Sequence, residues 1–203
     1  MRHFERIASG IDTSEMRAVL DRWPSLMTGQ SLPYEASEIE ADTKVGENSF
    51  GDKVPTWDVL WLRWAADTWG ETDVWDCMEF LPEISECAYW ARETLSTVAR
   101  SIGGIEQIGH IQLSRLKTGA SIRPHVDVGA YNDRFARFHL VLTSDPRCLF
   151  TSGGETVHMA PGELWWLDQS VMHSVTNGGP DRDHLIFDAA VPRYTKRVTK
   201  VAA

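Results

Sequence analysis

Between Ile111 and Phe187 the chain breaks into short apolar segments separated by turn residues, a rhythm that few folds accommodate. Ile111 to Leu116, Phe138 to Leu142, Cys148 to Thr151, Thr156 to Met159, Leu164 to Leu167 and Leu185 to Phe187 each read as a strand. Lys117-Thr118-Gly119 and Ala160-Pro161-Gly162-Glu163 read as tight turns, and Gly153-Gly154 suits a hairpin. Short strands with a turn roughly every eight to twelve residues argue for an antiparallel sandwich or a small barrel. The inward-facing residues of such a barrel can build a metal site in its mouth.

Within this region His125-Val126-Asp127 is followed by His173, an H-x-D…H arrangement. Two residues apart on an extended segment, His125 and Asp127 project to the same side and can reach one ion. Two imidazoles and a carboxylate on one face of a ferrous ion leave the other positions open, which is how non-haem Fe(II) oxygenases admit a bidentate cosubstrate and dioxygen. A solvated turn also produces H-x-D, so the tripeptide gains meaning only from its surroundings. His110, His158 and His184 fit no ligand spacing as well and read as ordinary residues.

Those surroundings carry a resemblance. Ile-x-Leu-Ser114, Gly119, Ile122, Pro124-His125 and Arg137-Phe-His139-Leu come first, then Gly162-Glu163, Asp168, His173-Ser-Val-x-Asn177, Arg182 and Asp188. In this order and spacing, residues 111–192 resemble the aspartyl/asparaginyl β-hydroxylase family, which includes small bacterial proline hydroxylases. The resemblance implies a mainly β fold, a double-stranded β-helix (jelly-roll, cupin-like) core with supporting N-terminal helices. It also implies a dioxygenase using Fe(II), 2-oxoglutarate and O2, with His125, Asp127 and His173 as the iron ligands. Vertebrate aspartyl hydroxylases carry a glycine in place of the carboxylate. Asp127 therefore makes this chain more similar to the bacterial amino-acid hydroxylases, and a complete triad argues against halogenation.

The same resemblance implies that Arg182 anchors the distal carboxylate of 2-oxoglutarate, with Ser114 as a hydroxyl donor to it and Arg137 and His139 contacting it near the metal. Arginine suits the role because its planar fork matches a carboxylate. Arg182 comes one residue earlier after His173 than in the family pattern, which shortens Asn177 to Pro180. From His125 to Arg137 the chain is three residues longer, an insertion within Val128 to Arg134. This loop is expected to close over substrate from a hinge at Gly129, with Tyr131 and Arg134 as substrate contacts. Plainer readings stand beside these: Arg137 in a surface ion pair, His139 as a core histidine and the loop as an exposed connector. Asp168 and Asp188 could support the barrel or a ligand histidine.

Length and composition fit one dioxygenase domain spanning 1–203, with 1–109 a helix-rich supporting and substrate-side region and 110–192 the β-helix core. A formal charge of −9 disfavours nucleic acid as a partner. No segment approaches the roughly twenty apolar residues of a membrane span, and the N-terminus shows no hydrophobic signal core. Three irregularly spaced cysteines suit free thiols in a reducing cytoplasm. Toward the N-terminus, Asp12-Thr-Ser-Glu15 reads as the opening of a helix through Met16, Val19 and Leu20. Val59 to Trp64 reads as a strand, and Pro82 as the start of a helix with Ile84, Cys87, Ala88, Ala91, Leu95 and Val98 on one face, stopped by Gly103-Gly104. Residues 32–52 show no clear periodicity. Of nine tryptophans, six lie between Trp57 and Trp90, as core packing or as walls of a substrate mouth.

Together these features lead to hydroxylation of an amino-acid side chain (Asp, Asn or Pro type), free or in a small peptide, with succinate and CO2 as coproducts. A non-oxidative cupin-like metalloenzyme and a non-catalytic barrel serving as a binding module are the alternatives. Nothing in the sequence fixes the oligomeric state.

Overall fold

The computed structural model describes residues 3–22, 45–47, 53–55, 57–63, 82–127 and 129–194. In chain order these form β1 (Phe4–Ala8), α1 (Ser14–Arg22), β2 (Val45–Glu47), β3 (Lys53–Pro55), β4 (Trp57–Arg63) and α2 (Pro82–Val98). There follow β5 (Gln107–Leu116), β6 (Ser121–His125), α3 (Ala130–Arg134), β7 (Ala136–Thr143) and β8 (Cys148–Ser152). The last are β9 (Glu155–Val157), β10 (Leu164–Leu167), β11 (His173–Asn177) and β12 (Arg182–Ala190). Trp64, Trp69, Trp75, Cys77 and most of the 32–52 stretch lie outside the described residues, and Trp57 and Trp61 are placed by backbone alone.

Two antiparallel sheets make the jelly roll. The larger has the order β1-β10-β7-β12-β5-β4, the smaller β6-β11-β8-β9, and β2 and β3 pair separately. Both faces of the larger sheet are covered, which explains why its central strands read as near-continuous apolar runs. On one face Ile111 and Leu113, Phe138, Leu140 and Leu142, and Leu185 and Phe187 pack with Met16, Val19 and Leu20 of α1 and with Cys87, Ala91 and Leu95 of α2. The alternate residues face the smaller sheet, where Leu116, Val141 and Leu167 meet Phe150 and Val175. Along β12 the period of two puts Arg182, His184, Ile186 and Asp188 on this inner side.

Local chemistry sets the element ends. Asp12 Oδ1 accepts the Ser14 amide at 2.9 Å and the Thr13 carbonyl accepts the Arg17 amide, so α1 starts where its capping residues end. The turn after α2 closes where the Gly104 amide, at φ 96°, donates to the Ala99 carbonyl. Gly153 and Gly154 both have positive φ, 55° and 86°, the backbone of a tight hairpin joining β8 to β9. Strand β1, which fills the edge beside β10, had no clear sequence signal.

Candidate metal centre and adjoining cavity

β6 ends at His125 and β11 begins at His173; the strands pair with these residues opposite one another, ring centroids 4.2 Å apart. Two residues past the end of β6, Asp127 is pinned by its amide, which donates to the Gln169 carbonyl at 3.0 Å. One potential ligand atom from each of His125, Asp127 and His173 falls within 4.8 Å of the others. The Nδ1 atoms lie 2.8 Å and 2.9 Å from the carbonyls of Arg123 and Val171. Carbonyls only accept, so each Nδ1 carries the proton and each Nε2 offers its lone pair to a metal. Burial pushes the His173 pKa down, which keeps that ring neutral and able to ligate.

Behind the carboxylate lies a half-buried chain of charges that ends on the buried Asp188. Arg137 Nη1 donates to Asp127 Oδ2 at 2.5 Å, while its Nε and Nη2 donate to Asp188 at 2.9 Å and 3.1 Å. Arg137 and Asp188 are cross-strand partners on β7 and β12, so the sheet register itself brings them together. The other oxygen of Asp127 lies 3.6 Å from His125 Nε2, toward the ligand cluster. Burial works to lower the Arg137 pKa, but the carboxylates of Asp188 and Asp127 outweigh it and raise it, so the guanidinium is charged. The Tyr131 hydroxyl donates to Asp188 at 3.1 Å and accepts the His110 amide at 2.7 Å. Burial, then the neighbouring Asp188, pushes the Tyr131 pKa up, and the phenol remains a donor.

A cavity of about 80 Å³ adjoins the triad, lined by Ser114, Arg137, His139 and Arg182 together with His125 and His173. A single water needs only about 10–15 Å³, so this is room for a small ligand. The sequence-expected residues Ser114, Arg137, His139 and Arg182 thus meet the triad in one place. Tyr131 and Arg134 do not line the cavity: the expected loop folds as α3, Tyr131 holds Asp188, and Arg134 Nη2 pairs with Gln107 Oε1. Val128 lies outside the described residues.

The donor set fits a divalent transition metal, with two imidazoles, a carboxylate and no further protein ligand among the described residues. The cavity also fits an anionic chelate. Arg182, 1% exposed, has no carboxylate partner among the described residues, and its Nε is buried without a hydrogen bond there. Gln112 Oε1, also on the cavity wall, is buried and unpartnered. The sequence reading passed over Gln112 and took His184 as an ordinary residue. The signal that could have found them is the period of two running from Ser114 and from Arg182.

Matches to known proteins agree with this geometry. The profile of the family described as Aspartyl/Asparaginyl beta-hydroxylase matches residues 24–192. Fold and site define a jelly-roll protein with a two-histidine, one-carboxylate centre. The chain belongs to the aspartyl/asparaginyl β-hydroxylase family. It is 33% identical over 82 residues to an L-proline cis-4-hydroxylase of Rhizobium meliloti (strain 1021), covering 40% of this chain and 29% of that protein. The chain thus spans less than a third of the length of the curated relatives it matches. The fold resembles AviO1 from Streptomyces viridochromogenes Tue57, with TM-score 0.57, 16% identity and coverage of 95% of this chain and 91% of that one. It also resembles a Pseudomonas putida prolyl-4-hydroxylase, with TM-score 0.53, 14% identity and coverage of 94% and 93%.

Proposed function

We propose that this protein is an Fe(II)- and 2-oxoglutarate-dependent dioxygenase that hydroxylates an amino-acid side chain of the Asp, Asn or Pro type, free or in a small peptide. The observation that carries this is a cavity lined by His125 and His173 of the clustered His125, Asp127 and His173 set and by a buried arginine without a counter-ion among the described residues. A metal chelator with a second carboxylate satisfies both at once. A cupin-like metalloenzyme of non-oxidative type has no need for Arg182, and a retired site has no need for three aligned ligands. The L-proline relative supports a free amino acid as the substrate class.

Each residue has a definite task. His125, Asp127 and His173 would hold the iron, with the carbonyls of Arg123 and Val171 fixing the imidazole tautomers. Arg137 holds Asp127 by one oxygen and leaves the other for the metal. Arg182, with the Ser114 hydroxyl, would take the distal carboxylate of the diacid, and Phe150, Leu167 and Ile186 exclude water around it. When bound, iron and 2-oxoglutarate supply oxidative decarboxylation with O2 coupled to hydroxylation of an unactivated C–H bond. The protein contributes geometry, charge and dryness.

The test is an anaerobic Fe(II) titration with and without 2-oxoglutarate, followed by a screen of free amino acids and short peptides for stimulated succinate formation. A visible charge-transfer band that needs both components, and stimulation by an amino acid or peptide, are expected. Metal binding without that band would make the protein a cupin-like metalloenzyme. Failure to bind metal would leave a binding module.

A further inference from the structure

Arg182 presents an electrostatic problem that the proposed cosubstrate site does not by itself solve. A fully buried cation is costly unless paired, and natural proteins usually pair it with a carboxylate. The adjacent Asp183 is committed elsewhere: its two oxygens accept from Arg115 Nε and Nη2 at 2.7 Å and 2.8 Å. Among the described residues the Arg182 side chain makes one hydrogen bond, from Nη1 to His184 Nδ1 at 3.0 Å. Phe150 flanks both groups from the smaller sheet. Its ring stacks on His184 at 5.6 Å with planes 9° apart, and the guanidinium carbon lies 5.2 Å from its centroid.

Donor chemistry then fixes the protons. Guanidinium can only donate, so His184 Nδ1 is the bare nitrogen and its proton sits on Nε2. His139 Nδ1, 3.2 Å from the same atom, must carry a proton to be there at all, which leaves His139 Nε2 bare. Neither Nε2 has a partner among the described residues. Burial and the neighbouring Arg182 push both imidazole pKa values well down, so the only charge in the cluster belongs to the arginine.

We infer that His184 is a positioning residue for the cosubstrate: its Nδ1 holds Arg182 by Nη1 and so fixes the guanidinium at the cavity wall without neutralising the charge. This rests on the reading that Arg182 takes the distal carboxylate. An aspartate at 184 would hold the guanidinium as firmly but would cancel the charge before a ligand arrived. An apolar residue would leave the charge but release its orientation. The imidazole does one job without undoing the other, and its commitment to Arg182 explains a histidine on β12 that is remote from any metal-ligand spacing.

The experiment is calorimetric titration of 2-oxoglutarate into Mn(II)-loaded wild type, His184→Phe, His184→Asn, His184→Asp and Arg182→Ala, with the Mn(II) affinity of each measured separately. His184→Phe keeps a ring of similar size and removes the acceptor. It should weaken 2-oxoglutarate by about tenfold or more, the equivalent of one hydrogen bond to a charged group. His184→Asn offers an oxygen near the position of Nδ1 and should recover most of the affinity. His184→Asp should fold and bind Mn(II) yet lose 2-oxoglutarate affinity at least as severely as the Phe variant. Mn(II) affinity should stay within about twofold throughout, whereas general damage to the barrel would move it together with the diacid affinity. If Arg182→Ala weakens 2-oxoglutarate while the Phe or the Asp variant binds it like wild type, the role of His184 is overturned and that of Arg182 stands. If Arg182→Ala itself binds normally, the arginine reading fails and the inference with it.

Discussion

Asp127 is the residue on which the candidate metal site turns, and two groups would compete for it: Arg137 and the ion. Arg137 holds one of its oxygens, and Arg137 is in turn shared with Asp188, a carboxylate that is 1% exposed and also accepts from Tyr131. Removing the Asp188 charge would leave Asp127 as the only anionic partner of Arg137 and bind it more tightly to the guanidinium. Asp188→Asn should therefore weaken Mn(II) or Fe(II) binding by about 10–100-fold, the usual cost of losing a group that supports a ligand. Metal titration of the purified variant reads this directly, and an unchanged affinity would reduce Asp188 to a strut. His125 and Asp127 stood out in the sequence as a local H-x-D pair, and the family resemblance of residues 111–192 added His173. The Asp188–Arg137 contact was not legible, because it joins strands 51 residues apart and depends on the β7–β12 register.

At the scale of elements, the insertion after Asp127 is what the sequence described least well. Its polar residues and Gly129 suit a loop, but Tyr131 reaches β5 and closes a short helix against it. The contact is possible because residue 109 is glycine: a Cβ there would collide with the Tyr131 hydroxyl and crowd Phe135 and Asp188. Gly109→Ala should push α3 outward, break the Tyr131 bonds to the His110 amide and Asp188, and destabilise the protein by about 1–3 kcal/mol, as overpacking does. A urea midpoint equal to wild type would mean that α3 shifts freely and Tyr131 is no anchor. The strands β4, β5, β7, β8, β10 and β12 were readable because each carries an apolar run, whereas β11, marked only by its ligand histidine, was not read as a strand. Nor were β1 and the β2–β3 pair, being short segments whose partners are distant or whose residues show no alternation.

At the scale of the whole molecule, the buried histidines give stability a pH signature. His139 and His184 are 5% and 0% exposed, and burial, then the nearby Arg182, holds both pKa values well below the ordinary 6.5. In the unfolded chain each takes up a proton near pH 6.5, whereas in the folded protein each stays neutral to much lower pH. Between those limits the unfolded state binds more protons, so stability falls as pH falls through that window and is retained above it. Each such histidine contributes a limiting slope of about 1.4 kcal/mol per pH unit. Carboxylates titrate near pH 4, so the interval from about pH 6.5 to about pH 5 isolates the imidazoles. Metal-free protein is the proper sample, because metal binding releases protons of its own. Urea unfolding across this interval should show stability rising with pH, and the His184→Asn variant should lose a part of that slope corresponding to one histidine. A flat profile for wild type, or the same slope in the variant, would mean that His184 is charged in the fold, and Arg182 would then need a different acceptor.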